Sequence, residues 1–239
     1  MNASLMKSFL TFLKNGRKES DHIDHRWLVM LRLYFLVIIF SFISYSMAFL
    51  LASSFKSPKR QTLLHSNPGL TVAIISLLIY PILEELMFRL PLGSFDIKTI
   101  KLSFGLIIGY FSIWLLSSFT ELNLGVEKNL VSILLVALVV YLTITFFSPH
   151  LSFVNLEVWW NNHLSKITLL FSVLFAFAHF QSFFYRGFVF GIENFLVTLF
   201  LGLVLAYVRV NMGIRESIIF HIFSNLPNWL FVFRDFLFQ

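Results

Sequence analysis

WLVMLRLYFLVIIFSFISYSMAFLLASS, residues 27–54, is longer than the ~20 mainly apolar residues that carry a helix across the hydrocarbon core of a bilayer. Runs of the same kind recur at 69–90, 99–119, 129–147, 167–185, 188–209 and 214–236. Composition agrees: 58% of the 239 residues are hydrophobic, 13% are charged, and mean hydropathy is +0.82. The expected fold is all-α, a polytopic transmembrane helix bundle of about seven spans (six to eight), with any polar site inside it. No polar segment approaches the ~50 residues a small soluble domain needs, so residues 1–239 read as one integral-membrane domain.

The segments between the spans fit that plan. Residues 1–26 combine Leu5, Met6, Phe9, Leu10 and Leu13 with lysines, which suits an amphipathic interfacial helix on the cytoplasmic side. A charged stretch follows, without a small-residue cleavage pattern, so it is not a convincing signal peptide. Ser53 to Pro68 is polar and basic and reads as a solvated connection. His150 to His163, with Trp159 and Trp160, reads as an interfacial segment with an aromatic belt. Most of the 31 phenylalanines are assigned to lipid-facing and packing surface.

The net charge of +6 is a topology signal, not a nucleic-acid footprint. Lys7, Lys14, Arg17, Lys18 and Arg26 all precede the first span. An N-terminus-in arrangement groups them with Lys98, Lys101, Lys166, Arg209 and Arg215, leaving fewer basic residues outside. A small single-domain chain of this kind points to a prokaryotic inner membrane. Membrane lipid is then an expected partner and nucleic acid is not.

The chain has no cysteine, so its chemistry must come from carboxylates, imidazoles, amides or hydroxyls. Ionisable side chains inside hydrocarbon are costly and mark functional sites by default. Three clusters qualify. PILEELMFRLPL, residues 81–92, places Glu85 and Arg89 four apart on one helical face, where they can neutralise each other. Glu84 is rotated ~100° from Glu85 and is free to address another helix. FSVLFAFAHFQ puts His179 four residues after Phe175 on an otherwise apolar helix. IIFHIFSNLPNW puts His221 and Asn225 on one face, with Pro227 beyond them as a candidate break. Taken singly, each cluster is also consistent with interhelical packing: a Glu–Arg clasp, a core histidine, an asparagine bridging helices.

Together they supply a base, a partner and oxyanion donors on three helices. The order and spacing EExxxR, FxxxH, HxxxN resembles the CAAX protease and bacteriocin-processing family of intramembrane proteases, which includes the type II CAAX prenyl endopeptidases. The resemblance implies an endopeptidase acting on a membrane-anchored peptide or protein. It implies that Glu84, as general base, and His179 activate a water, and that His221 and Asn225 hold the tetrahedral oxyanion. Glu85 and Arg89 are then structural support, and no cofactor or metal is required. The chain departs from the family in the long interval between the first two motifs, which holds two extra spans at 99–119 and 129–147.

The residues leave alternatives open. Glu84, His179 and His221 also compose a two-His, one-carboxylate zinc set, although no HExxH pair preorganises it. An immunity-like scaffold or a small transporter would use the same polar residues without hydrolysis, and Glu193 in the sixth span best feeds a transport path. Depth separates these only partly. From the span ends given above, Glu84 and His221 fall at similar depth, and His179 lies ~10 Å from their level.

Overall fold

A computed structural model describes residues 3–16, 25–54, 74–93, 95–120, 125–147, 153–179 and 187–237. Among them, all regular structure is helical. The elements are α1 (Ala3–Asn15), α2 (Arg26–Ser54), a π-helical turn (Ile75–Ile79), α3 (Tyr80–Phe88) and a 3-10 turn (Leu90–Leu92). Then follow α4 (Ile97–Thr120), α5 (Gly125–Phe147), α6 (Phe153–Asn162), α7 (Leu164–Ala178), α8 (Phe188–Asn211) and α9 (Ile214–Leu237).

Among the described residues, three helices are long and apolar enough to cross a membrane: Arg26–Leu51, Ile97–Leu116 and Phe188–Asn211. Val131–Thr145 and Leu164–Ala178 are apolar but shorter. Within the expected fifth span, α7 ends at Ala178, with His179 as its cap. The connection expected over 53–68, and the first residues of the second span, fall largely or wholly outside the described residues. So do 180–185 of the fifth span.

α8 is the centre of the bundle and packs against α7, α2 and α9. Its stretch from Val204 to Val208 is almost wholly buried. Large apolar side chains elsewhere point outward, among them Phe42 (71% exposed), Leu50 and Val139. That inside-out pattern is the surface a lipid solvent selects.

α1 packs on α7 and α8 by Leu5, Phe9 and Phe12, a stripe at helical spacing. Phe9 and Phe12 meet Tyr207 edge-on, and Tyr207 shares a 2.8 Å hydrogen bond with Ser8. The inward face thus includes Phe12, and Leu10, expected on the apolar face, is exposed. Trp160 is likewise buried, against Phe95 and Phe171, instead of joining an exterior belt. Its neighbour Trp159 is exposed and stacks on His163.

The pair α4 and α5 is held by close backbone approach. A Cβ on Gly105 would lie 2.7 Å from the Ala137 carbonyl oxygen, and one on Gly109 2.7 Å from that of Ile133. This GxxxG spacing lets two membrane helices touch where side chains would keep them apart. Gly109→Leu is expected to wedge them open and lower stability by ~1 to 3 kcal/mol. Thermal unfolding in detergent checks this, and an unchanged midpoint would count against the close approach.

The site helix α3 is set up by Pro81. Proline lacks an N–H, and its ring crowds the carbonyl four residues back. The preceding turn accordingly widens to π geometry, with the Tyr80 N–H bonded to the Ile75 carbonyl. α3 ends after Phe88, where Arg89 leaves helical geometry at φ −121° and ψ −27°.

Candidate active site

Glu84, His179 and His221, from α3, the end of α7 and α9, converge. His221 Nε2 lies 3.3 Å from Glu84 Oε2, and His179 Nε2 lies 3.6 Å from Glu84 Oε1. The carboxylate stands between two imidazoles, one on each oxygen. Exposure falls across the group: the His179 side chain is 36% exposed, Glu84 14% and His221 1%. The expected depth offset of His179 is absent. α7 runs from Leu164 to Ala178 and α3 ends at Phe88, which brings the end of α7 beside Glu84.

His179 caps α7, and its Nδ1 faces the Phe175 carbonyl oxygen at 2.9 Å. A carbonyl only accepts, so Nδ1 carries the proton. In the neutral ring Nε2 then presents a lone pair toward Glu84.

His221 bridges the two glutamates. Its Nδ1 lies 3.0 Å from Glu85 Oε1, while Ser217, one turn earlier on α9, donates to Glu85 Oε2. The Ser217 hydroxyl also reaches the Leu205 carbonyl at 3.2 Å. Glu85, Ser217 and His221 are all buried.

The expected direct pair of Glu85 with Arg89 is not formed among the described residues. An i,i+4 pair needs both members in the helix, and Arg89 lies past its end. Its guanidinium sits 4.7 Å from the Phe175 ring centroid and donates to the Phe88 carbonyl from NH1 at 3.2 Å. A cation over an aromatic face is a favourable substitute in a desolvated place. Phe175 is consequently more than a motif residue. Its ring also meets His179 and His221 edge-on, at 4.7 and 5.5 Å, so one ring touches the guanidinium and both imidazoles.

Asn225 is one turn beyond His221 on α9 and partly buried. No side-chain hydrogen bond joins it to the other site residues among the described ones. α9 does not break at Pro227 but continues to Leu237. Glu193 on α8 is partly buried and has interaction partners of its own, so it is not a lone charge. No group of three His, Asp or Glu among the described residues is arranged to hold a metal ion.

Several residues that shape the site carry no motif. Ser217 holds Glu85, and Ser103 on α4 donates to the Met87 carbonyl. Arg209 on α8 donates to the carbonyls of Arg89 and Leu90, each at 3.2 Å. A Cβ on Gly93 would meet that guanidinium, so a larger residue there would require Arg209 to shift. An arginine near the end of an apolar span, Arg209, is the sequence signal for this last contact.

No protein family, curated protein or solved structure matches the chain.

Proposed function

We propose that the protein is an intramembrane endopeptidase that works in the manner of the CAAX protease and bacteriocin-processing family. One observation carries this: a partly accessible carboxylate, Glu84, is flanked by two imidazoles of unequal exposure at 3.3 and 3.6 Å. A separation of 3.6 Å is long for a direct hydrogen bond and suits a water held by both groups.

In the reaction, Glu84 takes a proton from that water while His179 Nε2 accepts its second hydrogen bond. The water oxygen attacks the carbonyl carbon of a peptide bond, and the tetrahedral oxyanion accepts hydrogen bonds from His221 and Asn225. Such donors contribute ~3 to 4 kcal/mol each when preorganised. His221 Nδ1 is committed to Glu85, so donation from Nε2 uses the doubly protonated ring. The intermediate collapses, the C–N bond breaks, and Glu84 returns its proton to the leaving amine. Products are a carboxylate and an amine.

The setting is a bundle of about seven spans in a prokaryotic inner membrane, N-terminus in the cytoplasm. The substrate is a membrane-anchored peptide or protein. The metal-free form is favoured over zinc on Glu84, His179 and His221 because the two imidazoles face different oxygens of one carboxylate. Ligands of one tetrahedral ion would converge on a common point.

Purified protein in liposomes, given a lipid-tethered fluorogenic peptide, is expected to cut it at a rate that chelators leave unchanged. Loss on chelation with recovery on adding zinc would establish the metal form. In cells, an identical membrane peptide population with intact protein and with Glu84→Gln would favour a non-enzymatic immunity-like protein or a transporter.

A further inference from the structure

α7 ends at Ala178, and every helix end leaves carbonyls without intrahelical partners. In an apolar medium these carbonyls need donors from the protein. The Ala178 carbonyl accepts from the Tyr110 hydroxyl of α4 at 3.0 Å. The His179 carbonyl accepts from the Asn194 amide of α8 at 3.3 Å. The Phe175 carbonyl faces His179 Nδ1 itself. Two of these three donors come from helices that carry no motif residue.

The same two helices hold the end of α3. Ser103 of α4 donates to the Met87 carbonyl, and Arg209 of α8 donates to those of Arg89 and Leu90. Ser103 and Tyr110 are seven residues apart in sequence, so they share one face of α4. α4 and α8 thus each send one side chain to each of the two helix ends that carry Glu84 and His179.

We infer that Tyr110 and Asn194 are positioning residues for His179, fixing the peptide units on both sides of it so that its Nε2 stays on Glu84; this rests on the hydrolytic reading of the site. The physical link is short. With Ala178 and His179 carbonyls held, the last turn of α7 cannot unwind, and the Phe175 carbonyl stays where it fixes the proton on Nδ1. This gives α4 a function. It is the outer wall that locks two site helices in register.

Two variants remove one donor each with little change of shape: Tyr110→Phe and Asn194→Leu. Each is expected to lower kcat on the lipid-tethered reporter by ~10-fold or more with KM little changed, since small displacements of a reacting group cost that much. The deciding measurement is 15N NMR of histidine-labelled protein. Intact protein is expected to show His179 as the Nδ1–H tautomer, and the double variant to show exchange between both tautomers. Ser103→Ala, which frees the α3 end only, is expected to leave the His179 signal unchanged. A double variant that keeps the single tautomer and the kcat of the intact protein overturns the inference. Failure of the hydrolytic reading is seen separately, as Glu84→Gln cutting the reporter at the unaltered rate. The tautomer result stands on its own in either case.

Discussion

Glu84→Gln is expected to lower kcat for peptide hydrolysis by ~10^2 to 10^4-fold, the span over which a positioned general base contributes. The bundle is expected to stay folded. Gln has nearly the same shape, and the change removes a charge that is largely withdrawn from water, with only 14% of the side chain exposed. The amide still offers an oxygen and an N–H to the two imidazoles, so no buried group is stranded. Rate measurements on the lipid-tethered reporter, paired with thermal unfolding in detergent, check both halves. A variant that cuts normally would remove Glu84 from the reaction; one that fails to fold would make its role structural.

The adjacent residue is expected to behave in the opposite way. Glu85→Ala should cost ~3 to 5 kcal/mol of stability, the range for removing one partner of a buried ionic pair. Glu85 accepts from Ser217 and faces His221 Nδ1 at 3.0 Å. All three side chains lie away from solvent, so the two left behind cannot recover their hydrogen bonds from water. Glu85→Gln should be milder, because it can still accept from Ser217. Unfolding by denaturant in micelles measures the difference. Equal midpoints for Glu85→Ala and intact protein would show that the Ser217–Glu85–His221 group does not hold α3 to α9.

The two predictions divide a pair of neighbours that the sequence distinguishes only by helical phase. Helical phase leaves Glu84 free to address another helix and turns Glu85 elsewhere; in the structure His179 faces Glu84, and His221 touches both glutamates. The partner assigned to Glu85 changed. Position four residues on made Arg89 its natural mate, but the helix ends first, and the carboxylate goes to α9 instead. Helix ends are poorly encoded, because they depend on which outside groups can receive the freed carbonyls. Here those groups are Ser103, Tyr110, Asn194 and Arg209, on α4 and α8, far from the motifs in sequence.

By itself, the sequence determined the all-helical class, the position of most apolar helices and the three polar clusters that converge. Apolar length and helical phase are local quantities, readable without neighbours. Only the tertiary structure decided where α3 and α7 stop, that Phe175 touches both Arg89 and the imidazoles, and that His221 spans both glutamates. These depend on contacts between helices distant in the chain. In a low-dielectric interior, every freed carbonyl and buried charge takes the partner that packing brings to it.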